Sequence, residues 1–119
     1  MSLNVVLNIE KTIKIAFSAA DAEKAIFDVL NSLGLSGTFE VDLKIVSVQE
    51  IHTLNREYRE KDKPTDVLSF PIHDKIEPKN DAPVLLGDIV LCPEMAEEPI
   101  MKLIEHSTLH LVGIHHPGD

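Results

Sequence analysis

The chain has 119 residues, 44% of them hydrophobic and 26% charged, which is ordinary composition for a single globular domain and excludes a disordered tail, a collagen-like repeat and a coiled-coil rod. The net charge of −9 argues against indiscriminate polyanion binding. Cys92, the one cysteine, excludes an internal disulfide and fits a reducing compartment.

In chain order, residues 3–9 (LNVVLNI) read as a strand. The start MSLNVVLNIEKT lacks the basic, apolar and small-residue sequence of a secretory signal, so none is expected. Ser18 with Asp21 three residues later has the form of a capping box. It opens a helix whose apolar positions are 22, 26, 29, 30 and 33, closed by Gly34. Residues 39–46 alternate, with Phe39, Val41, Leu43 and Ile45 on one face and Glu40, Asp42 and Lys44 on the other, as in a half-buried strand. Ser47 and Glu50 form a second capping box, opening a helix through Ile51, Leu54 and Tyr58.

The turn-rich REKDKPTD follows, then a short strand VLSFP (67–71), a polar loop (72–84) and a strand LLGDIVL (85–91), expected antiparallel to 67–71 because only a loop joins them. Pro93 opens a turn of helix through Glu98, and Glu94, Glu97 and Glu98 read as an acidic helix start. A last helix runs from about 99 to 112 with Gly113 as its stop. The order β-α-β-α-β-β-α predicts one α+β domain, residues 1–119, with three or four strands. No stretch approaches the ~18 apolar residues of a membrane span. Residues 56–79 carry six basic and six acidic side chains, a neutral strip on an acidic chain. The strip is either a docking place for an anionic ligand or a solvated mixed-charge loop.

Four of the six histidines lie in the last fourteen residues. His106 and His110 stand four apart on the last helix, so both project from one face and can reach one metal ion. Gly113 turns the chain back, and either His115 or His116 can return to the same point. Three imidazoles are a normal ligand set for a catalytic zinc ion, with a fourth position for water. This is not the HExxH pattern of zinc peptidases. Ser107 stands where the general-base glutamate would be, and Glu105 points about 100° away from His106 on a helix. Asp88, within an apolar strand, is expected to satisfy a buried amide or a ligand histidine's outer N–H. Cys92 reads as a small core residue, and His52 and His73 as surface residues.

The run His106-Ser-Thr-Leu-His110-Leu-Val-Gly-Ile-His-His116 resembles the HGxLHLxGYDH signature of the YbeY family, bacterial endoribonucleases of rRNA maturation. The segments LNREYREKDKPTDVLSFP (54–71) and LLGDIVLCPE (85–94) are similar to two further blocks of that family, in the same order. The resemblance implies a small mixed β-sheet with packed helices, the zincin-like YbeY fold. It also implies one Zn2+ ion on His106, His110 and His116. Arg59 would act on the RNA phosphate as a catalytic residue beside His110. The implied substrate is ribosomal RNA, with ribosomal components as partners, in the cytoplasm. Departures from the pattern are Ser107 for glycine, Ile114-His115 for Tyr-Asp, and a segment before His106 that is shorter by roughly ten residues. His115 competes with His116 as third ligand. The alternative readings of Arg59 and of the whole chain are a surface ion pair with Glu57, Glu60 or Asp62, and a metal-dependent hydrolase of non-RNA substrates or a non-catalytic, ribosome-associated zinc module.

Overall fold

The computed structural model describes residues 2–114. His115 and His116, the two candidates for a third ligand, lie outside the described residues. The elements are β1 (Leu3–Lys11), α1 (Ala19–Ser32), β2 (Gly37–Ile45), α2 (Val48–Arg59), β3 (Val67–Pro71), β4 (Val84–Leu91), a single 3-10 turn (Pro93–Met95) and α3 (Ile100–Leu111). The expected α+β order is observed, with four strands. Of each predicted capping box the serine half forms, Ser18 accepting from the Asp21 N–H and Ser47 from the Glu50 N–H, whereas the Glu50 carboxylate does not return to Ser47 and is taken by Thr12 and Lys44. Each serine satisfies one of the N–H groups that a helix start leaves without a partner.

The strands form one mixed sheet in the order β1-β2-β4-β3. β1, β2 and β4 are parallel, and β3 is an antiparallel edge running against β4. Pro71 ends that edge strand, where a missing N–H costs the ladder least. The β2–β4 register shifts by one residue at Glu40/Val41. Gly87 sits at this irregularity with φ +144°, and a Cβ there would lie 2.2 Å from the Phe70 carbonyl oxygen. Only glycine lets the two backbones approach so closely.

The sheet buries its two faces unequally. Against one face pack α1 and α3, and the larger core lies there, with Ile26, Leu30, Leu43, Ile89, Ile104 and Leu111 almost fully buried. Against the other lies α2, over a smaller cluster of Val46, Ile51, Leu68, Val90 and Cys92. Cys92 is thus the core residue expected, and burial pushes its thiol pKa up.

Three expectations need correction. The turn after Pro93 stops at Met95 because Ala96 returns to extended backbone. Glu97 and Glu98 precede α3, whose first turn holds no acid, so they are not a helix start. Asp88 is exposed on the α2 side of the sheet, beside Asp42, and neither satisfies a buried amide nor faces α3. Its neighbour Ile89 takes the inward position of β4, and strand alternation turns Asp88 outward. Partial desolvation, then the Asp42 charge, raises the Asp88 carboxyl pKa above the ordinary range.

Candidate functional site

Two helices that never touch in sequence supply the walls of one cleft of about 630 Å3. From α3 come His106, Ser107 and His110; from the end of α2 come Asn55 and Arg59; the 60–66 loop adds Lys61, Lys63 and Asp66. The inward face of α3 (Leu103, Ile104, Ser107, Thr108 and Leu111) is buried, which fixes the helix's rotation. His106 and His110 then sit half-buried at the edge of that face. Their ring centroids are 4.6 Å apart and the planes are tilted by 60°. Two imidazoles this close, one turn apart on a rigid helix, are donors of the type that suits a borderline-soft cation such as zinc. Among the described residues no group of three or more His, Cys, Asp or Glu converges, so the histidine pair is what those residues could offer a metal ion there. Glu105 lines a neighbouring groove with Lys102 and Leu109, on the other side of His106 from the cleft.

Ser107 Oγ is buried with no hydrogen-bond partner among the described residues. An unmade buried hydroxyl bond costs about 1–3 kcal/mol, so this departure from glycine leaves an unsatisfied polar atom in the cleft wall. Next to it, Thr108 Oγ1 donates to the Ile104 carbonyl at 2.7 Å, the local bond open to a buried helical hydroxyl.

Arg59 makes no ion pair with Glu57, Glu60 or Asp62. The ion pairs among the described residues are Lys24–Asp28, Lys44–Glu50 and His52–Asp62. Its guanidinium instead lies over the Phe70 ring, 5.0 Å from the centroid, and its Nη2 donates to the Ser69 carbonyl. The stacked plane and this single committed donor hold the fork in place with other N–H groups still available. The surface ion pair that was the alternative for Arg59 is therefore not formed among the described residues.

The loop carrying Lys61 and Lys63 is tied back to α2, and Asn55 is the tie. Its Nδ2 donates to the Lys63 carbonyl at 2.9 Å, and its own carbonyl accepts from the N–H of Glu60 and of Lys61. Glu60, in the left-handed region at φ 58°, turns the chain out of the helix there. His52 Nε2 and Asp62 Oδ1, 2.8 Å apart, make a second tie. Neither Asn55 nor Phe70 was singled out from sequence. The available signal for Asn55 was a polar residue in the inward stripe of α2, beside Ile51 and Leu54, where an unpaired amide is costly.

The family model described as Endoribonuclease YbeY matches residues 6–119. A curated relative from Halalkalibacterium halodurans, named Endoribonuclease YbeY, is 42% identical over 100 residues, which cover 70% of this chain and 63% of that protein. One of the same name from Rhizorhabdus wittichii is 42% identical over 96 residues, covering 67% and 57%. A third, from Sphingopyxis alaskensis, is 37% identical over 123 residues, covering 87% and 73%. The chain thus spans less than two-thirds of the length of the first two. The 123-residue match is longer than the 119 residues of this chain while using only part of it, so that relative carries residues with no counterpart here. A solution structure of a Thermotoga maritima protein aligns at TM-score 0.43 and 21% identity, over 92% of this chain and 63% of that one. With a family model running along nearly its whole length and relatives above one-third identity, the chain belongs to the YbeY family.

Proposed function

We propose that this protein is a zinc-dependent endoribonuclease acting on ribosomal RNA, with His106, His110 and His116 as metal ligands and Arg59 as the phosphate-binding cation. The carrying observation is the meeting of a histidine pair from α3 and a stacked arginine from α2 in one cleft. The names of the relatives, all endoribonucleases, support RNA as the substrate class. Zinc, when bound, supplies Lewis acidity toward a phosphoryl oxygen and activates water at neutral pH.

The chain's own groups do the rest. The Arg59 fork donates to nonbridging phosphate oxygens, where charge grows in the transition state. Its stacking on Phe70 keeps that plane oriented before substrate arrives, so little ordering is left to the reaction itself. Lys61 and Lys63, held by the Asn55 tie, attract flanking phosphates at longer range. On a chain of net charge −9 these cations confine a polyanion to the cleft and discourage it elsewhere. Ribosomal components as partners and a cytoplasmic site of action follow from the same substrate.

The test is metal analysis paired with cleavage of an rRNA fragment. The expected result is one zinc per chain, cleavage abolished by chelation and restored by zinc, and activity of His110→Ala below about 1% of wild type. Cleavage indifferent to chelation would remove the reading. Stoichiometric zinc with no RNA turnover would point to the non-catalytic module instead, with His115 and His116 both closing the metal's ligand set.

A further inference from the structure

A second groove, of about 320 Å3, lies along α2 and is lined by Leu54, Tyr58, Phe70 and Val90 together with Lys44 and Asp88. The groove and the cleft meet at one pair of side chains. Arg59 lines the cleft, and its guanidinium lies over Phe70, which lines the groove. Phe70 in turn meets Tyr58 with ring centroids 5.7 Å apart and planes at 74°. Such a T-shaped contact occupies the edge of one ring and a face of the other. Tyr58 is 63% exposed, so at least one of its faces remains open to solvent.

A single exposed aromatic side chain ordinarily needs no explanation. Tyr58 differs because it adjoins the phosphate-binding cation in sequence and reaches it in space through one shared neighbour. Charge also divides the two hollows. The cleft gathers three cations, Arg59, Lys61 and Lys63, against two acids, Asp66 and Glu98, whereas the groove holds one cation, Lys44, already paired with Glu50 at 3.0 Å, and one acid, Asp88. A phosphate is drawn to the cleft, and the uncharged, flat part of the same nucleotide is left to the groove.

We infer that Tyr58, with the groove it shares with Phe70, is a stacking subsite for an unpaired nucleobase of a single-stranded RNA whose phosphate is held by Arg59. The inference deepens the ribonuclease reading above and rests on it. Every base offers a π-face, so the subsite accepts any base and selects for unpaired strands over duplex, whose bases are already stacked. The binding energy it contributes comes from a nucleotide next to the scissile bond and orients that bond.

The chain carries its own reporter: Tyr58 is the one tyrosine, and there is no tryptophan. Zinc-loaded protein is titrated with hexauridylate and with a ribose-phosphate hexamer lacking bases, while tyrosine emission is followed. Hexauridylate is expected to quench Tyr58 and the base-free strand to leave it unchanged. With binding read by titration calorimetry, because the variants have lost the one tyrosine, Tyr58→Ala, at an exposed position, is expected to bind hexauridylate about tenfold more weakly than wild type and the base-free strand equally well, while Tyr58→Phe binds both like wild type. Equal quenching by the two strands, or Tyr58→Ala within about twofold of wild type on hexauridylate, overturns the subsite. Wild-type protein that cleaves RNA while Tyr58→Ala shows no such difference sinks the subsite and spares the ribonuclease reading. Base-dependent quenching without cleavage does the reverse.

Discussion

The two faces of the sheet are built to different standards. The α1/α3 face is covered from β1 to β3 and holds the larger core. The opposite face is covered only near α2, by five buried residues. Beyond α2 it presents Asn8, Glu40, Asp42 and Asp88, with Asn8 Nδ2 donating to both Glu40 and Asp42. The functional groups divide along the same line. The histidines ride on α3, locked by five buried side chains, whereas Arg59 ends α2, which buries only Ile51 and Asn55. The metal site proposed here would need donors held within a fraction of an ångström, and the deep core supplies that rigidity. The phosphate recognition proposed for the α2 side would tolerate adjustment, and there hydrogen bonds from Asn55 and a ring under the guanidinium replace hydrophobic bulk.

This contrast can be broken by truncating each core in turn. Ile104→Ala, in the large core, is expected to cost about 4 kcal/mol in denaturant unfolding, and Ile51→Ala, under α2, about 2 kcal/mol, because the thinner cluster can collapse into the gap. Equal costs would mean that the two faces are equally rigid. Arg59→Lys keeps the charge and loses the stacked plane. It is expected to lower the cleavage rate about tenfold, roughly 1.4 kcal/mol, with zinc content unchanged. A variant with wild-type turnover would show that charge alone suffices on the α2 side.

On the α3 side, Ser107→Ala removes the orphaned hydroxyl and is expected to stabilise the fold by about 1 kcal/mol, read as a raised denaturation midpoint. Destabilisation would mean that the hydroxyl has a partner in solution. The smallest effect belongs to Asp88. Its carboxyl pKa is raised in the folded state, so the native chain holds that proton more tightly than the unfolded chain does. Stability is therefore lost as pH rises through the carboxylate range, and the cost is absent below it. Asp88→Asn is expected to gain under ~0.5 kcal/mol at neutral pH, since the group is open to solvent, and nothing near about pH 3. A gain that persists in acid would trace to something other than the charge.

Local pattern made much of this protein legible before any coordinates. The capping serines, the alternation of Phe39 to Ile45, the glycine stop after α3 and the four-residue step from His106 to His110 all report on neighbours within one turn or one pleat. Backbone geometry dictates those relations by itself. The second relation in the proposed ligand set, from α3 to a histidine beyond Gly113, falls outside the described residues. Tertiary structure alone decided that β4 lies between β2 and β3, that Asp88 turns away from the histidines, that Phe70 underlies Arg59 and that Asn55 ties down the lysine loop. Each of those depends on which elements pack together across long stretches of chain. Periodicity says which side of an element is apolar, and the partner it meets there is settled only by the closing of the whole core.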